Sequence, residues 1–159
     1  MIRLTVLLTL TCVAAGTLLG PPLRAQVTND TPGYFSFVIP GFDSSPSFTD
    51  MSSLNATAAG ADGFVTIQGG HFADGRGKRI RLLGSNLTFS GAFPPKEDAP
   101  RMAAHMRKLG MNVIRFHHID TGPAPRGVWL KGFTELDPEQ MDKLDWLIYQ
   151  LKQNGIYVN

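Results

Sequence analysis

Asn86, Arg115, His117, His118 and Trp129 are the residues of the chain whose types and spacing suit chemistry. Three of them close an apolar run over residues 111–116 that reads as a β-strand. Strand side chains alternate between two faces, so Val113, Arg115 and His117 share one face and Ile114, Phe116 and His118 the other. A guanidinium keeps its charge at any physiological pH, so an arginine turned inward demands a carboxylate or a polar ligand. No acid in the recognisable strands holds that place. Asp120 falls in the following loop, so the partner is expected from a later strand; a purely structural ion pair is the other use of such an arginine. His117 is then a hydrogen-bond donor to a substrate or a carboxylate, and His118 a packed residue behind it. Two vicinal imidazoles also raise the question of a metal. Facing opposite ways they do not readily share one ion, and the His-x-His spacing of a barrel metal site is absent, so no metal ligand and no cofactor is assigned. Asn86, whose amide both donates and accepts, and Trp129, whose indole either stacks on a sugar face or lies in the core, suit recognition of hydroxyl groups. His71 and His105 read as hairpin and helix-surface residues.

These residues sit among regular elements. Residues 64–68 alternate like a short strand, Gly69-Gly70 and Asp74-Gly75 are turn signals, and residues 79–83 resume a strand. Arg76, Lys78, Arg79 and Arg81 read as the solvated side of that hairpin. Ala99, Met102, Ala103, Met106 and Leu109 recur at helical spacing, with Pro100 in the first turn and Gly110 as a stop. A second helix opens with Asp137 as N-cap, Pro138 at the first position and Gln140 as a capping-box glutamine. It carries Met141, Leu144, Ile148 and Leu151 on one face and ends at Gly155. Residues 156–158 start another apolar strand.

Apolar strands separated by amphipathic helices are the pattern of parallel βαβ units, in which helices cover the sheet. The fold class expected is α/β: the first two βα units and the start of the third strand of a (β/α)8 TIM barrel, preceded by a β-hairpin and an irregular N-terminal arm. The intervals from Ile80 to Val113 and from Val113 to Ile156 suit such a barrel with a longer loop after its second strand. The rival, a doubly wound sheet, lacks its phosphate turn, because Gly84-Ser85-Asn86 does not fit Gly-x-Gly-x-x-Gly. A third strand with an open edge would leave apolar surface in water, so the 159 residues are expected to be a fragment or a truncated reading frame.

Residues 1–25 read as a signal peptide, with an early Arg3, an uncharged stretch over residues 4–19, and a Gly-Pro-Pro exit before Ala25. An uncleaved membrane anchor is the alternative, although the run is short for a span. Removing Arg3 and Arg24 lowers the formal charge from +2 to zero, which argues against a nucleic-acid partner. The sole cysteine, Cys12, leaves with the same segment, so no disulfide is expected. The mature protein is expected to be secreted or periplasmic, without stable membrane association. Residues 26–63 form the arm, rich in Ser, Thr, Pro, Gly and Asn, and residues 64–159 the barrel portion.

The stretches from Gly70-His71-Phe72 through Arg79-Ile80-Arg81-Leu82-Leu83-Gly84-Ser85-Asn86, and Lys108-Leu109-Gly110-Met111-Asn112-Val113-Ile114-Arg115-Phe116, resemble the opening of a cellulase-like barrel of glycoside hydrolase family 5. The second helix and Asn154-Gly155-Ile156-Tyr157-Val158 continue the likeness. The resemblance implies retaining hydrolysis of β-glycosidic bonds in a polysaccharide or oligosaccharide. It implies two glutamates about 5 Å apart, one protonating the leaving oxygen and one attacking the anomeric carbon. Arg115 matches the family arginine that orients the nucleophile. Both glutamates would lie beyond Asn159, and Glu135 and Glu139 cannot take their place, so the chain alone is expected to be inactive. Two other readings stand beside this one: a secreted, non-catalytic sugar-binding or interaction module using Asn86, His117 and Trp129, and a metal-dependent barrel hydrolase.

Overall fold

A computed structural model of the chain describes residues 32–33 and 40–159. The signal peptide expected at residues 1–25 lies outside the described residues. Among the described residues, no helix is long and apolar enough to cross a membrane.

The apolar run after the first helix becomes a strand whose alternation sorts the core. Three parallel strands, β3 (Gly84–Thr88), β4 (Val113–His117) and β5 (Tyr157–Val158), lie in the order β3-β4-β5. The helices α1 (Ala99–Lys108) and α2 (Pro138–Gln153) connect them. Ile114 is fully buried in a cluster with Ala99, Ala103, Leu147, Leu151 and Ile156, and Leu87 and Phe116 pack against it. Full burial of one such aliphatic side chain contributes about 1.5–3 kcal/mol. A second cluster joins Ala92, Phe93, Val128 and Leu144 above the same helix face. Before the sheet, β1 (Thr66–Gln68) and β2 (His71–Ala73) pair antiparallel around the Gly69-Gly70 turn.

The helices follow their sequence signals with three differences. Gly110 and Gly155 end them at φ of 77° and 75°, the left-handed position that glycine fills without strain. Leu109, expected on the buried face of α1, is exposed, while Leu147 is buried on α2. Asp137 caps α2 by accepting from the backbone N–H of Glu139 and Gln140. Gln140 does not complete a capping box. Its buried amide donates to the Gly127 carbonyl, tying the loop after β4 to the helix, and the Asp137 N–H goes to Val128 instead.

The first sheet strand is also displaced from the expected residues 79–83. Arg79 bridges Ala73, and the Ile80 N–H donates to Phe72, so these residues extend the hairpin. Asn112 then clamps the connection, accepting from the Leu83 N–H at 2.7 Å and donating to the Arg81 carbonyl at 2.7 Å. Parallel pairing begins at Gly84, opposite Val113. Only glycine fits there, because a Cβ would overlap the Val113 carbonyl.

Residues 51–63 close the amino-terminal end of the sheet. A helix leaves its last carbonyls without intrahelical partners, and this strap answers one on each helix. The Met51 N–H donates to Lys108 and the Ala59 N–H to Lys152, both at 2.9 Å. Just ahead, Asp43 accepts from the Lys108 ammonium at 2.6 Å, and its carbonyl accepts from His105 Nδ1 at 2.7 Å. His105, expected on the helix surface, is therefore a half-buried tether. The bond from Lys108 first, and those from Ser45 next, hold the Asp43 carboxyl far below the usual carboxylate range.

Two outcomes are expected. Gly84→Ala should destabilise the protein by about 1–3 kcal/mol, the usual cost of an overpacked contact, read as a lower urea midpoint. Asp43 has its pKa depressed by folding, so its contribution is fully present above the ordinary carboxylate pKa and fades as pH falls below it. Asp43→Asn should therefore lower the urea midpoint at pH 7 and cost progressively less below pH about 4; a penalty that does not change with pH would contradict the pairing.

Candidate functional site

The face of the sheet turned away from the helices carries the polar residues. In-register partners on neighbouring strands point the same way. Gly84 stands beside Val113, Asn86 beside Arg115 and Thr88 beside His117. The ladder continues past β5: the Asn159 N–H donates to Ile114 at 2.9 Å, and its carbonyl accepts from Phe116 at 3.0 Å. That pattern sets Asn159 next to Arg115, giving a cross-strand row of Asn86, Arg115 and Asn159. The row lines a shallow groove of about 420 Å³ with Gly84, Ser85 and Val113. Arg115 is exposed in this groove, and among the described residues no carboxylate pairs with it. The structure thus brings Asn86 and Arg115 together, with His117 one row nearer the carboxyl end.

His117 is half-buried, and burial lowers its pKa first. The nearby His118 and Arg115 lower it further, and Asp120 opposes them. His118 does not continue the strand to the opposite face, as alternation predicts. Its backbone turns to φ of 60°, and its ring comes back to 3.8 Å from that of His117. The two imidazoles therefore share one side, which corrects their expected separation. Among the described residues, no three His, Cys, Asp or Glu side chains converge as they would around a metal ion.

Trp129 keeps features of both its readings. It is half-buried against the second apolar cluster, and its indole N–H donates to the Asp120 carbonyl at 2.7 Å. This bond ties the edge of the indole to the start of the loop after β4.

Two residues outside the sequence-derived set complete the carboxyl end of the sheet. Phe89, directly after β3, has φ of 49° and stacks on His118 at 5.1 Å with an interplanar angle of 14°. Arg126 lies over the other part of this assembly, its guanidinium carbon 4.5 Å from the Phe89 ring centre. Non-glycine residues rarely adopt positive φ, and bulky ones least; two of them stacked on each other mark a strained, over-determined corner. The only sequence signal was the turn-forming Pro123-Ala124-Pro125 before Arg126, which marks a loop but not its neighbours.

Another concavity among the described residues, about 640 Å³, lies between residues 59–65 and the α2–β5 edge. Its walls include Phe64, Val65, Ile148, Tyr157 and Val158, with Lys152 as the charged contributor. Without converging polar groups it resembles uncovered packing surface rather than a reaction site.

No family model, no curated protein and no solved structure matches this chain.

His117 supplies a direct check on this electrostatic arrangement. By NMR titration its midpoint should fall below the ordinary imidazole value, rise in Arg115→Gln and fall further in Asp120→Asn. A midpoint insensitive to both changes would mean that neither charge reaches the ring.

Proposed function

We propose that residues 64–159 are the opening βα units of a (β/α)8 barrel in an exported glycoside hydrolase of the family 5 kind. In this reading, the barrel cleaves a β-linked glycan with retention, using two glutamates on further strands and no metal or organic cofactor. The observation that carries the reading is the row of Asn86, Arg115 and Asn159 on the helix-free face of a parallel sheet. Barrel enzymes gather their reacting groups at the carboxyl ends of the strands. An exposed guanidinium flanked by two carboxamides can hold a carboxylate ionised and in place, while the amides address sugar hydroxyls. His117, one row further toward that end, is within the same zone.

The uncovered apolar surface at the α2–β5 edge supports the same reading. Phe64 at 92% and Val158 at 42% exposure lie where a further strand and helix of a barrel would pack.

The test is the reading frame that follows the Asn159 codon and the protein it encodes. A strand ending in Asn-Glu, a later strand ending in Glu, and retaining hydrolysis of β-linked oligosaccharides are expected. In that protein, Arg115→Ala should lower kcat about 100-fold, the scale of loss when a reacting group is misplaced by an ångström. The 159-residue chain alone should give no turnover. Hydrolysis by the short chain, or an Arg115→Ala enzyme with unchanged kcat, would defeat the proposal.

A further inference from the structure

We infer that the cavity beyond the carboxyl ends of β3 and β4 receives an acidic sugar residue, with Arg126 gripping its carboxylate. The inference rests on the carbohydrate reading above and adds the charge of the ligand. The cavity has about 450 Å³, within the range of small-molecule sites, and its walls include Phe89, His118, Thr121, Pro123, Pro125 and Arg126.

Its parts have complementary tasks. The Phe89 ring stacks on His118 and carries the Arg126 guanidinium 4.5 Å from its centre, so these contacts preset the guanidinium before any ligand arrives. Stacking engages the flat face of a guanidinium and leaves its N–H fork free at the edge. Among the described residues, the Arg126 side chain has no ion pair and no hydrogen bond, and no carboxylate lines the cavity. Asp120, the nearest acid in sequence, is not one of its walls. An open fork of this kind matches the two oxygens of a carboxylate, which a neutral sugar does not offer. Pro123, Pro125 and the Phe89 edge provide apolar surface for the C–H face of a pyranose. The left-handed backbones of Phe89 and His118 have a place in this scheme: they turn both rings toward one another and build the platform on which Arg126 rests.

The experiment is calorimetric titration of the protein, at low salt, with a matched pair of ligands. One is a β-linked oligosaccharide bearing a glucuronate unit; the other is the same oligosaccharide with its carboxyl reduced to an alcohol. A sulfated analogue forms a third arm. The acidic form should bind about tenfold more tightly than the reduced form, the scale of a hydrogen bond to a charged group. Arg126→Gln should bring the two within about twofold, and Arg126→Lys should recover only part of the preference because it lacks the fork. Arg126 is exposed, so thermal melts of both variants should match the parent. Equal affinity for acidic and reduced forms would overturn the acidic-sugar site and leave the carbohydrate reading standing. An acidic preference that survives Arg126→Gln would remove it from this cavity. Tighter binding of the sulfated analogue would replace a uronate by a sulfated sugar, and failure of all three ligands to bind would overturn the acidic-sugar site, the carbohydrate reading being decided separately by the hydrolysis test.

Discussion

The period-two alternation of β4 is the constraint on which the rest depends. Ile114 is fully buried beneath the helices, and that commits its neighbours on either side to the opposite face. Had the register slipped by one residue, Arg115 would enter an apolar cluster without a partner and Ile114 would face solvent. The hydrophobic demand of one isoleucine therefore fixes where the guanidinium stands. Pairing with β3 then brings Asn86 alongside it without any direct selection for that contact.

A second layer of control comes from backbone shape. Glycine at position 84 lets β3 approach β4 closely enough to start the ladder, while Asn112 holds the preceding residues in line. At the other end of the same strands the chain accepts strain instead of avoiding it. Phe89 and His118 both occupy conformations that most side chains avoid, each immediately after its strand. One end of the sheet is thus set by close fit and the other by aromatic rings turned across the strand ends.

The helices and the central strand were legible because their signals are local: a 3.6-residue apolar period, a proline after a capping aspartate, a glycine past each end. What escaped was decided by distant partners. Residues 79–83 alternate more convincingly than Gly84-Ser85-Asn86-Leu87-Thr88, whose residues include poor strand formers. The second segment nevertheless pairs, because Asn112 and the Val113 carbonyl select it. Gln140 has the type and spacing of a capping-box residue, but the Asp137 N–H it would accept from goes to the Val128 carbonyl, and its own amide donates to Gly127. His118 defeated the alternation rule because that rule assumes extended backbone. In the candidate site, the face of Arg115 and His117 on β4 was readable from parity. The meeting of Phe89 with Arg126 joins two loops, and no one-dimensional period encodes such an encounter.

The strap at residues 51–63 has an implication for how the chain is made. It emerges from the ribosome ahead of every element it binds, since the helix ends it satisfies belong to residues synthesised long afterwards. Until Lys108 and then Lys152 appear, the Met51 and Ala59 amides lack the carbonyls they bond in the folded protein. Its docking should wait for both helices, and the nascent protein must carry the floor of the sheet unlatched until Lys152 has been made.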